Sequence, residues 1–298
     1  MVRTTFAVAG HPIDGSASPH LFHLVVAHLA RRGVKGIDVD QTDSFRLNAT
    51  RVGEALRALM SGPPQQRSAL ARAAVDVVRA STETSNEGAG VSLPRDGALW
   101  LSLTSPLKHD LGAWDHLDAS KDVRSVNTLR VLDGRVEAMS TDGRAVVRVA
   151  RLLGVSVDSG AVVALRGGGG AARSIAQAWV EAGGRVLPVP GRRALSGLPE
   201  DAVATHGAAF GVDVDGGKGH LDAPCVLFPV YRVGDTPRGG GGLTSSEIDG
   251  RWMLAAQHLE AWSRCWAPDV APFLPDLPRL VADLLALEAW LGAGVHDA

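Results

Sequence analysis

One stretch of this 298-residue chain constrains its fold more than any other. Val162-Val163-Ala164-Leu165 is an uninterrupted apolar run, the pattern of a strand buried on both faces. Four consecutive glycines, Gly167 to Gly170, follow it closely. Residues 171–182 then read as a helix that Gly183-Gly184 ends, and 185–189 starts another strand. Strand, tight turn, helix and strand within the ~30 residues of a βαβ unit require a parallel sheet covered by helices. An α/β architecture follows.

The length calls for more than this unit, because single cores stop growing near roughly 250 residues. Residues 5–10 form an apolar strand closed by Gly10-His11-Pro12, and 19–31 carry helical apolar spacing. Val52, Ala55, Leu56, Leu59 and Met60 repeat at helical intervals until Gly62-Pro63-Pro64. A second helix is expected over 66–79, an exposed polar loop over 81–90 and a buried strand over 98–103. Val146, Val147, Val149, Leu152 and Leu153 suit a helix over 141–155 that connects two domains, and helical patterns over 252–266 and 277–290 finish the chain. The expected division is an N-terminal α/β substrate domain over 1–146, a Rossmann-type nucleotide domain over 147–249, and C-terminal helices over 250–298 returning to the first domain. The glycine-rich run 238–242 reads as mobile.

Charge and cysteine usage exclude several classes. Thirty basic side chains against thirty-two acidic ones give a net charge of −2, which supplies no field for a nucleic acid backbone. Cys225 and Cys265 are too few for a disulfide framework and lack zinc-site spacing, so a reducing cytoplasm is expected and no metal. No apolar segment has signal-peptide or membrane-spanning length, which predicts a soluble protein.

The glycine turn carries the first functional signal. Between a strand and a helix, glycines let the backbone approach a pyrophosphate whose charge the helix amides receive, which singles out Gly167, Gly169, Gly170 and Ala171. A preference for NAD would place an acidic side chain about 20 residues past the motif, for the ribose 2′-hydroxyl. Gly191-Arg192-Arg193 stands there instead. Guanidinium forks at Arg192 and Arg193 match a 2′-phosphate, so the expected cofactor is NADP. Against this stand a turn made only for tight packing and arginines that are merely solvated.

Polar clusters interrupt the strands of the first half: Gly15-Ser16-Ala17-Ser18-Pro19, Ser102-Leu103-Thr104-Ser105-Pro106-Leu107-Lys108, Val126-Asn127-Thr128 and Ser140-Thr141-Asp142-Gly143. Tyr231 with Thr236-Pro237, and Gln257 after Met253-Leu254, follow the glycine turn. In this order the set resembles the shikimate dehydrogenase family over nearly the whole chain. The resemblance implies that Lys108 and Asp142 exchange the proton of the reacting hydroxyl while a nicotinamide exchanges hydride. It further implies that Ser16 and Ser18 hold a carboxylate, and that Ser102, Thr104, Asn127, Tyr231 and Gln257 contact ring hydroxyls or that carboxylate. The implied substrates are shikimate and 3-dehydroshikimate, or a relative such as quinate or aminoshikimate. A non-catalytic member that binds ligand or nucleotide and regulates a partner is the reading from another class. The chain departs from the family at Ser102 and Ser140, where asparagine is usual, and at Phe22-His23, where His-Asn is usual. The family's Asn-Ala-Thr segment has no counterpart around 204–210, and Gly239 to Gly242 replace leucines after Thr-Pro.

Overall fold

The computed structural model describes residues 5–37, 39, 42–61, 69–80, 91–93, 98–216 and 219–294. The unbroken buried apolar run Phe6 to Ala9 places β1 (Thr5–Gly10) inside the first sheet, paired in parallel on either side with β2 (Asp43–Asn48) and β3 (Leu99–Leu103). β3 then runs antiparallel to β5 (Thr128–Leu132). Asp133 and Gly134, both at positive φ (50° and 75°), turn β5 into β6 (Arg135–Met139), the Asp-Gly chemistry of a tight hairpin. The two-residue β4 (Asp115–His116) closes the order β2-β1-β3-β5-β6-β4.

The strands of the second sheet are β7 (Val162–Arg166), β8 (Arg185–Val189), β9 (Ala208–Asp213), β10 (Val226–Phe228) and β11 (Glu247–Asp249). They are all parallel, in the order β11-β10-β9-β7-β8. The crossover from β7 to β8 is α5 (Gly170–Glu181), ended by Gly183 at φ 95°. Its Trp179 stacks on Phe210 of β9 with centroids 6.1 Å apart and donates to the Ala161 carbonyl at 2.9 Å. The two sheets meet where α4 (Asp142–Leu152) packs on α5. A methyl at Gly143 would lie 2.0 Å from the Ser174 carbonyl oxygen, so only glycine permits that approach.

The C-terminal helices α6 (Gly250–Ala261) and α7 (Leu277–Gly294) return to the first sheet, packing on α1 (Ser18–Arg31). Asp249 caps α6 through the Arg251 amide at 2.9 Å, and a π-helical turn, Trp262–Trp266, follows. That turn completes an aromatic core: Phe6 stacks on Phe22 at 4.6 Å, Phe22 on Trp262 at 5.7 Å, and Trp100 meets Trp262 edge-on at 4.8 Å. Trp266 donates to the Leu129 carbonyl at 3.0 Å, and His28 joins Asp283 of α7 at 2.7 Å.

Of the expected elements, the strand 5–10 matches β1, and the helical run that starts at Val52 matches α2 (Val52–Met60). The helix 66–79 falls on α3 (Ala69–Ala80), its first residues lying outside those described. The loop over 81–90 and the stop at Pro63-Pro64 also lie outside them. The run 238–242 forms a tight turn, in which the Arg238 amide donates to Asp249 at 2.9 Å and Trp252 Nε1 to the Gly241 carbonyl at 2.8 Å. Among the described residues no helix is long and apolar enough to cross a membrane.

Three histidines lie in or beside the aromatic core: His20, His23 and His258. Burial pushes the His258 pKa down to about 3, and burial, aided by Arg46 and His20 respectively, takes His20 and His23 to about 4. Below an unfolded value near 6.5 the unfolded chain therefore binds more protons than the folded one. Stability should be flat above that pH and fall as pH drops toward 4, by about 1.4 kcal/mol per pH unit for each fully buried histidine. Urea denaturation at pH 7 and pH 5 should show a loss of at least ~2 kcal/mol, and His258→Phe should show a smaller one; an equal loss in both proteins would mean that His258 stays charged in the fold.

Candidate active site

The strand ends of the first sheet bring distant segments to one small cavity. Thr104 is placed by its amide, which donates to Ala9 at the end of β1 at 2.9 Å, and the following turn presents Lys108. The Val126 amide donates to the Lys108 carbonyl at 2.8 Å, tying that turn to the segment that carries Asn127. Asp142 is the first residue of α4, where the helix dipole favours an anion.

Asp142 is fully buried, and its carboxylate is surrounded by donors. Lys108 Nζ donates to Oδ1 at 2.9 Å and to Oδ2 at 2.8 Å. Asn127 Nδ2 reaches Oδ1 at 3.1 Å and Gln257 Nε2 of α6 reaches it at 2.6 Å. Asn127 is locked in turn, because its Oδ1 accepts from the Thr141 amide at 2.8 Å and from Thr128 Oγ1 at 3.0 Å. Lys108 keeps 20% of its side chain exposed, so the ammonium remains open to the cavity while the carboxylate behind it is sealed.

The cavity, about 90 Å³, is lined by Ser16, Ser18, Ser102, Thr104, Lys108, Asn127 and Gln257, with Val8, Leu254, His258 and Ala261 among its other walls. The N-cap residue of α1 is Ala17, Ser16 Oγ accepts from the Ser18 amide that begins the helix at 3.3 Å, and Arg46 holds the Ser16 carbonyl at 2.9 and 3.2 Å. Tyr231 is placed elsewhere. Its ring lies under the Arg251 guanidinium, 4.6 Å from the centroid, and its buried hydroxyl has no hydrogen-bond partner among the described residues. Arg251 is fixed by Asp249 and by Glu288 of α7, so the ring is held away from the cavity walls. Phe22 and His23 are core residues, His23 bonding Ser44 at 2.9 Å, and Ser140 bonds Ser174 at 2.8 Å.

A larger cleft of about 750 Å³ adjoins the first, sharing Thr104 and Lys108 with it. Gly169, Gly170, Ala171, Arg192 and Arg193 line it, together with His109, Val214, Asp215, Pro229 and Val230, which the motif pattern did not single out. The four glycines serve different ends. A methyl at Gly168 would lie 2.2 Å from the Ala194 carbonyl oxygen, and one at Gly170 would lie 2.7 Å from Ser125 Oγ. Gly169 alone of the four opens on free space, at the N-terminus of α5, where a phosphate could meet the helix amides. Gly167, at φ 126°, faces Val214 and Asp215 and not the open cleft. Arg173 of α5 reaches the carbonyls of Val123 and Gly168 at 2.8 and 3.0 Å, which braces the turn against the first domain.

A polar cavity with a half-open ammonium, beside a glycine-lined cleft, invites comparison with known proteins. No family model matches the chain. It is 31% identical over 184 residues to the shikimate dehydrogenase (NADP(+)) of Xanthomonas campestris pv. campestris (strain B100), a match covering 61% of this chain and 51% of that protein. The matched part thus spans about half the length of that curated relative. The shikimate 5-dehydrogenase of Thermus thermophilus in complex with shikimate superposes with a TM-score of 0.60, at 21% identity, over 97% of this chain and 100% of that one. Its complex with NADP(H) and shikimate gives 0.58 at 22% identity, over 96% and 100%.

This chain has the shikimate dehydrogenase fold. The 5-ketofructose reductase of Gluconobacter sp. strain CHM43 is also similar, with a TM-score of 0.55 at 15% identity over 96% of this chain and 99% of that one. The shikimate dehydrogenase fold therefore leaves the substrate to be argued from the cavity.

Breaking a sealed ion pair costs more than breaking an exposed one, because the remaining charge is stranded. Lys108→Met should lower unfolding free energy by about 3 kcal/mol. A double-mutant cycle with Asp142→Asn, read by urea denaturation, should give a coupling of at least ~1.5 kcal/mol. A coupling below ~0.5 kcal/mol is the behaviour of a surface pair and would contradict this geometry.

Proposed function

We propose that the chain is an NADP-dependent oxidoreductase that interconverts 3-dehydroshikimate and shikimate, or a close analogue such as quinate or aminoshikimate. The observation that carries this reading is the Lys108–Asp142 pair, which stands at the boundary between the small polar cavity and the glycine-lined cleft. The cleft suits a dinucleotide because Gly169 leaves space at the α5 amides and Arg192 and Arg193 border the same volume. NADP, when bound there, would supply or accept the hydride.

The chain's own residues account for the rest. In the reducing direction Lys108 Nζ donates a hydrogen bond to the carbonyl oxygen and stabilises the negative charge that develops on it. It then gives up a proton to that oxygen, completing the hydroxyl. In the oxidising direction the neutral amine takes the hydroxyl proton back. Asp142 orients the ammonium through both of its carboxylate oxygens. Asn127 and Gln257, by donating to Asp142 Oδ1, keep the carboxylate facing the lysine while the proton moves. Ser16 and Ser18 offer neutral donors to the substrate carboxylate, and Ser102 and Thr104 are placed to bond ring hydroxyls.

The displaced Tyr231 supports a second reading, a binding protein without turnover, because a residue of the family's ligand set is absent from the cavity walls. Lys108→Met separates the two. A positioned proton-transfer group contributes about 10² to 10⁴ in rate, so kcat should fall by that factor while shikimate affinity is retained in part. A folded variant that keeps full turnover would remove Lys108 from the mechanism.

A further inference from the structure

We infer that Asp215 determines cofactor choice, by placing a carboxylate in the adenosine-ribose corner that opposes the arginines and makes the preference for NADP over NAD shallow. The inference rests on the reading of the cleft as a dinucleotide site. The chain leaves β9 at Asp213, and the Val214 amide donates to the Arg166 carbonyl at 3.1 Å, which sets Asp215 across the tips of β7 and β8. Its carboxylate is wedged between two glycines. A methyl at Gly167 would lie 3.3 Å from Oδ1, and one at Gly191 would lie 2.5 Å from Oδ2. The glycine turn and the β8 loop are thus shaped around this carboxylate.

Oδ2 accepts from the Arg192 amide at 2.6 Å, and Oδ1 faces Arg192 Nη2 at 3.3 Å. The Asp215 side chain is 11% exposed while that of Arg192 is 78% exposed, so the acid is fixed and the arginine is free to swing. Both side chains, with that of Arg193, border the same cleft as Gly169. Two opposite chemistries therefore share one corner. A carboxylate can accept a hydrogen bond from the 2′-hydroxyl of NAD, and guanidinium groups can grip the 2′-phosphate of NADP. For NADP, Arg192 must divide itself between the phosphate and Asp215, and the phosphate must approach a like charge.

Asp215→Asn keeps the shape and the oxygen that accepts from the Arg192 amide, and removes only the charge. Dissociation constants for NADP+ and NAD+, measured by calorimetry on the full chain, should give a ratio (NAD over NADP) raised on the order of tenfold in the variant. Because Arg192 is open to solvent, that gain should shrink as salt is raised. Arg192→Ser should move the ratio the other way. Thermal unfolding checks that each variant is folded, and Asp215→Ser repeats the test if Asp215→Asn is not. A ratio that stays constant, or equal weakening of both cofactors, would overturn the inference and leave the cleft a dinucleotide site. Failure of the unaltered protein to bind either cofactor would overturn the dinucleotide reading itself, and this inference with it.

Discussion

A carboxylate with no solvent exposure keeps its place only if the surrounding chain supplies donors in place of water, and Asp142 is such a group. Its donors come from three separate parts of the sequence: Lys108 from the turn after β3, Asn127 from the start of β5, and Gln257 from α6. Meeting that one requirement fixes how the first sheet, the helix between the sheets and the C-terminal helices stand relative to each other. The aromatic packing of Phe22, Trp100, Trp262 and Trp266 then holds α6 against the sheet and keeps Gln257 within reach. In the proposed reaction stability and chemistry would depend on the same contacts, because the ion pair that seals the junction also leaves an ammonium facing the cavity.

The second domain is joined through backbone approach more than through side chains. Gly143 lets α4 meet α5, Gly170 lets α5 meet Ser125, and Arg173 ties the glycine turn to the carbonyls of the first domain. The small cavity and the larger cleft therefore share Lys108 and Thr104 with little intervening chain. The proposed hydride transfer would need that proximity, since the donor and acceptor atoms must come within a few ångströms of one another.

Elements held by local pattern were legible in the sequence. The strand 5–10, the helix of α1 and the unit β7-α5-β8 follow from hydrophobic period and glycine punctuation, and the structure places them within about a residue of those limits. Short strands such as β2, β6 and β11 alternate polar and apolar residues over too few positions to stand out, and β2 and β11 take their places from partners in other segments of the chain, β1 and β10. The ordered motifs pointed to Lys108, Asp142, Asn127 and Gln257, which the fold gathers at one cavity. Tyr231 was not legible in the same way, because its position is set by Arg251 and through it by Glu288 of α7. Asp215 gave no motif signal either. Its relation to Arg192 exists only because β9 lies beside β7, a consequence of the sheet order.

The central claim is that Lys108 and Asp142 serve oxidoreduction of a shikimate-like acid, and the unaltered protein offers its most direct test. Incubation with NADP+ and shikimate, with quinate and aminoshikimate in parallel, is followed by the absorbance of NADPH. The account predicts steady NADPH formation with at least one of these acids, and its reversal when the corresponding keto acid and NADPH are supplied. Binding of both NADP+ and shikimate without any NADPH formation from the three acids would contradict it.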